Sequence, residues 1–141
     1  MPNLHPTLVH FPIALLTVSL LADFLGKLWN NQSLKRTGWL TMLFGFLGLV
    51  VTIVTGLVAR ETVMIPNVAE SVIESHEQLA FVVAAIFASL MFWRIRSKTD
   101  LPLRYSWGYL GLSLFGVVLM WIGAWYGGEM VYRFGVGVTG H

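Results

Sequence analysis

Four apolar stretches separated by short polar segments organise the chain. They run over about 8–29, 38–59, 76–96 and 105–126, the third being continuously apolar as far as Trp93. At ~1.5 Å per residue each helix covers roughly 27–33 Å, enough to cross the ~30 Å hydrocarbon core of a bilayer. The connections after Trp29 and after Arg96 are short, so successive spans must be antiparallel neighbours. The expected fold is therefore all-α: an integral membrane four-helix bundle, up-down-up-down, in a single domain covering 1–141. The first stretch has no basic start and carries Asp23 near its end, so it is expected to be retained rather than cleaved as a signal.

Within the third stretch, Val68, Val72, His76, Leu79 and Val83 recur at helical steps and predict one inward face. Glu70, Glu74 and Glu77 form a second stripe, expected to meet water or, as a less favoured reading, a basic partner. This helix should begin near Pro66, ahead of its apolar part.

Composition agrees with the pattern and narrows the chemistry. Hydrophobic residues make up 56% of the chain and charged residues 11%, far below the roughly 25% of soluble domains. The absence of Cys excludes disulfides, thiolate metal sites and covalent c-type haem attachment. No phosphate loop, HExxH or nucleophile elbow is present, so hydrolase and nucleotide chemistry have no support. The net charge of +2 is no nucleic-acid footprint, and no nucleic-acid partner is expected. It is an orientation signal instead. Seven of the nine basic residues, Lys27, Lys35, Arg36, Arg94, Arg96, Lys98 and Arg104, flank the first and third connections. The positive-inside rule puts that side in the cytoplasm of a bacterial-type inner membrane, with both termini and the second loop outside. Trp29, Trp39, Trp93 and Trp107 are expected in the inner aromatic belt.

The four histidines, at 5, 10, 76 and 141, all fall on the expected outer side. His10 lies 17 residues before Lys27 and His76 lies 18 before Arg94, so both stand about 26 Å from the inner boundary. The same count reaches Gly56 in the second span and Gly123 in the fourth. Two imidazoles at one height, with two missing side chains beside them, would suit a flat macrocycle whose iron is held axially. Such glycines also have a packing role in membranes, in the stripes Gly45, Gly48, Thr52, Gly56, Ala59 and Gly116, Gly123, Gly127.

His5 is about 140° from His10 on an ideal helix, so it is expected above the site, as a second metal ligand, a propionate contact or a proton shuttle. His141 has little claim to a role. Arg60 and Arg133, with Tyr132, are candidates beside haem propionates or a quinone carbonyl; salt bridges to Glu61 or Glu129 are the alternative for the arginines. Asp23 is expected to snorkel beside Lys27, with a proton path or a cytoplasmic-side polar site as the second reading. Met64, Met120 and Met130 would be the copper ligands of a metal site, but methionine is also ordinary core filler.

The opening Leu4-His5-Pro6-Thr7-Leu8-Val9-His10-Phe11-Pro12-Ile13 resembles the start of the small four-span proteins grouped as domain of unknown function 2231. A His ahead of the third span, here His76, and the closing Gly127-Gly128-Glu129-Met130-Val131-Tyr132-Arg133-Phe134-Gly135-Val136-Gly137-Val138 continue the likeness across the whole chain. The chain departs from the pattern at Phe134, where the family often has His, which leaves His5, His10 and His76 as matching positions. Some family members are joined to Rieske-type or cytochrome c domains, so the resemblance implies a place in electron transfer.

The expectation is thus a membrane-embedded b-type haem protein. His10 and His76 would be its axial ligands, and electrons would pass between a quinol and a redox carrier on the outer side. The alternatives are a cofactor-free structural or assembly subunit of a homodimer or larger complex, and a metal-only site using His5, His10 and His76. A transporter is a weaker reading, because four short helices show no obviously broken span and no buried ion pair is expected.

Overall fold

Proline and asparagine residues set several of the helix boundaries. The computed structural model describes residues 4–63, 65–98, 101 and 106–136; Met64, Arg104, Tyr105, Gly137, Val138 and His141 lie outside them. Pro6 enters the first turn of a one-turn helix, α1 (His5–Leu8), where a missing N–H costs nothing. Pro12 has no N–H to offer the Leu8 carbonyl, which interrupts the ladder, and α2 (His10–Leu28) follows as a separate segment. Asn31 caps α3 (Gln32–Thr62), its side chain accepting from the Leu34 N–H at 3.1 Å. Pro66 precedes a short 3-10 turn, Asn67–Ala69, that leads into α4 (Glu70–Arg96), and α5 (Ser106–Tyr132) completes the bundle. Among the described residues there is no strand. Four stretches, His5–Leu28, Gln32–Thr62, Asn67–Arg96 and Ser106–Tyr132, are long and apolar enough to cross a membrane.

Small residues decide how closely the helices approach. A Cβ on Gly45 would come within 2.8 Å of the Leu16 side chain, so α3 lies tight against α2. Gly116 does the same for α5, where a Cβ would meet Ile86 at 3.0 Å and Phe87 at 3.1 Å on α4. Two hairpins result, α2–α3 and α4–α5, and contacts of α2 with α5 and of α3 with α4 close the ring. The core between them is formed by Leu16, Met42, Val83, Phe87, Leu90 and Tyr109. The buried face runs from Ala69 in the 3-10 turn through Ile73, Val83, Phe87, Leu90 and Arg94 on α4, so Val68, expected inside, is instead 72% exposed. Large apolar side chains such as Phe44, Val54, Phe92 and Trp125 point outward, as the lipid-facing surface of a membrane bundle requires.

At the end of the bundle near the two short connections, one side chain ties all four helices together. Arg94, on α4, is fully buried. Its guanidinium pairs with Asp23 on α2, donates to the Lys35 carbonyl on α3 at 2.5 Å and lies 3.4 Å from the Tyr109 hydroxyl on α5. The same group stacks over Trp39 and Tyr109, with centroid distances of 5.9 and 5.8 Å. The second Asp23 oxygen, Oδ1, has no hydrogen-bond partner among the described residues and presses on Gly38, where any Cβ would overlap the carboxylate. Ser19 completes the junction by donating to the Gly38 carbonyl at 2.8 Å. Asp23 therefore does not snorkel beside Lys27. Lys27 instead donates to Ser106 and covers the Trp107 ring at 4.8 Å. Arg94 behaves as a core residue and not as a loop charge.

Candidate functional site

At the opposite end the two hairpins part around a crevice of about 410 Å³. Its walls are mostly apolar, with Ile13, Leu49, Ile53, Leu79, Val83 and Met120 among them. The polar groups that reach it include His5, His76, Arg60 and Glu77. An apolar pocket of this size with a few convergent polar groups is the usual form of a cofactor site.

The imidazole that faces His76 is that of His5, with ring centroids 6.3 Å apart and planes at 88°. The expected pairing of His10 with His76 is not formed: His10 lines the rim of the crevice and is exposed. The reason lies in the helical wheel. The buried stripe of α2 includes Pro12, Leu16, Ser19, Asp23 and Gly26, and His10, two residues before Pro12, stands about 200° away from it. His5, seven residues before Pro12, falls within about 20° of the same stripe. Val9 keeps helical dihedrals, φ −59° and ψ −27°, so the break at Pro12 leaves His5 in register with that face.

Each imidazole is oriented through Nδ1. His5 Nδ1 lies 3.0 Å from the Thr52 carbonyl and 3.3 Å from the Thr55 hydroxyl oxygen. His76 Nδ1 lies 2.8 Å from the Gly123 carbonyl. A carbonyl can only accept, so both Nδ1 atoms carry a proton, which in a neutral ring puts the lone pair on Nε2. This is the tautomer that ligates a metal, with the backbone as the orienting outer partner.

The glycines serve these rings directly. A Cβ on Gly56 would come within 2.9 Å of His5 Cε1, and one on Gly127 within 3.4 Å of His76 Cε1. Gly123 contributes its carbonyl, and a Cβ there would meet only Leu79, at 3.8 Å. Gly56 and Gly127 thus seat the imidazoles; the sequence reading had assigned the space at Gly56 and Gly123 to a ring.

Arg60 bridges the mouth between α3 and α4, pairing with Glu77 and, at 2.7 Å, with Glu70. Its carboxylate partners are therefore Glu70 and Glu77, not Glu61. Arg133 pairs with Glu129 at 2.7 Å, one turn along its own helix, and Tyr132 lines the crevice but is 92% exposed. Met120 is buried core, and Met130 lines the crevice. Among the described residues no three His, Cys, Asp or Glu side chains come together in one group.

The sequence reading did not single out the His5–His76 pairing, the Thr52–Thr55 support or the Asp23–Arg94 junction. A signal for the first was present: His5, Pro12, Ser19 and Gly26 recur every seven residues, and the last three are buried.

Over residues 1–140 the chain matches the family described as a predicted membrane protein, DUF2231. The chain belongs to that family. Of the residues that carried the resemblance, His5 and Pro6 begin α1, and Pro12 interrupts the helical ladder after it. No curated protein and no solved structure matches the chain.

Proposed function

We propose that this membrane protein holds a b-type haem between His5 and His76 and passes electrons through it. One observation carries the reading: two imidazoles from different helices face one another across an apolar crevice, each with its Nδ1 tied to a backbone carbonyl. With metal–imidazole bonds of about 2.0–2.1 Å, two rings on opposite sides of a metal have centroids about 6.4 Å apart, whereas a tetrahedral metal brings them to about 5.2 Å. The observed 6.3 Å, with the ring planes at 88°, is close to the first of these spacings. His5 and His76 would be the two residues that hold the haem iron.

Bound there, haem would supply one-electron chemistry, and the chain's own residues would tune it. The Thr52 and Gly123 carbonyls raise imidazole basicity by accepting from Nδ1. The aliphatic walls lower the local dielectric around the group. Arg60, held by Glu70 and Glu77, closes the α3–α4 side of the mouth. By the positive-inside rule this end is the outer one, so electrons would pass between a quinol in the bilayer and a redox carrier outside.

The test is an optical spectrum of the detergent-purified protein, produced with adequate haem supply, air-oxidised and then reduced with dithionite. A Soret band that sharpens on reduction, resolved α and β bands and near-stoichiometric haem are expected. A colourless, monodisperse protein overturns the reading and favours an assembly subunit.

A further inference from the structure

The two imidazoles are carried by elements of very different strength. His76 is the seventh residue of the 27-residue α4, and its Nδ1 is tied to α5 through the Gly123 carbonyl. On the next residue, Glu77 ties α4 to Arg60 of α3. Moving His76 requires moving a helix that runs the length of the bundle. His5 sits on α1, a single turn of four residues, none of them buried. One helical turn has no stability of its own, because nucleation costs more than one turn of hydrogen bonds returns.

The join between α1 and α2 is a built hinge. Pro12 removes the bond that would tie the Leu8 carbonyl to α2, and that carbonyl is met instead by the Thr52 hydroxyl at 3.5 Å, on the neighbouring helix. Thr52, Thr55 and Gly56 together form a seat on α3 on which α1 rests. Lifting α1 therefore breaks contacts to α3 but leaves the backbone of α2 intact.

We propose that the pair is functionally asymmetric: His76 is the fixed ligand, and His5 is a releasable one whose position a small neutral ligand can take when α1 lifts from α3. The inference rests on the haem reading above. The exchange is a simple substitution: the bond from His5 Nε2 to the metal breaks, and a bond from the incoming lone pair forms. No electron or proton moves.

The experiment uses the full chain, with carbon monoxide and free imidazole as probes. His5→Ala should retain haem within about threefold of the wild type, bind carbon monoxide when reduced and regain the six-coordinate spectrum on addition of imidazole, whereas His76→Ala should lose haem by at least about tenfold. Thr55→Val keeps both imidazoles and weakens only the seat, so it should speed carbon monoxide binding severalfold. Equal haem loss in the two His variants, or better retention by His76→Ala, overturns the proposal. A wild type that takes up no haem overturns the haem reading instead. The asymmetry is then judged on the cofactor-free protein by nitrogen-15 histidine resonances. Exchange broadening at His5 but not at His76 supports it, and equal line widths reject it.

Discussion

The two ends of the bundle solve opposite problems with similar means. At one end Asp23, Arg94 and Tyr109 are packed so closely that Gly38 cannot gain a methyl group. At the other His5, His76 and Arg60 surround open volume. Both ends place polar groups among apolar ones, but only the first uses them to join all four helices. Burying an ion pair is rarely a net gain over apolar packing, whereas removing one partner is severe. The polar groups at the Arg94 end thus depend on each other, whereas those at the histidine end leave volume between the helices for a site.

This contrast predicts where substitutions act. The largest effect is expected for Arg94→Ala, which leaves Asp23 buried without its counter-ion and should cost about 3–5 kcal/mol. Thermal unfolding in detergent should show the loss, and the double variant D23N/R94M should recover much of it. A double variant as unstable as the single one would break the comparison.

Next in size is Gly38→Ala, where the added methyl meets the Asp23 carboxylate; overpacking of this kind costs about 1–3 kcal/mol. Gly108→Ala, whose Cβ meets nothing within 4 Å, is the control and should stay within about 0.5 kcal/mol of the wild type in the same melts. Gly56→Ala should act the other way round, displacing the His5 ring and altering the reduced haem spectrum while the melting temperature moves little.

Glu77→Gln removes one of two carboxylates from a partly exposed arginine and should cost no more than about 1 kcal/mol, read by thermal melting at low and high salt. The smallest effect is expected for His10→Ala, which should leave the haem spectrum unchanged. If His10→Ala abolishes haem binding and His5→Ala does not, the assignment of the facing pair is reversed.

The fold was legible because hydropathy reports directly on the solvent each helix meets. Four long apolar runs, two short polar connections and Pro66 ahead of the third helix were enough for the four-helix architecture. The inward position of His76 was legible too, since Leu79 and Val83 on its face also line the crevice, although Val68 at the start of that stripe is exposed. The His5 pairing was obscured because His10 was placed by its height from Lys27 and His5 was then set aside for lying about 140° from it. Height along a helix says nothing about direction around it, and His10 has the right height on the wrong face. Arg94 was misread for another reason. Charges near span ends ordinarily belong to loops, and nothing local in the sequence shows that this one folds back to meet an acid on another helix.

That meeting has a consequence for how the chain is made. Asp23 and Arg94 are 71 residues apart. At about 5–20 residues per second the ribosome delivers the acid roughly 4–14 s before the base that neutralises it. During that interval the first hairpin lacks the guanidinium that Asp23 meets in the finished bundle. The junction of all four helices therefore cannot close before the third span has been made, however early the first two are in place.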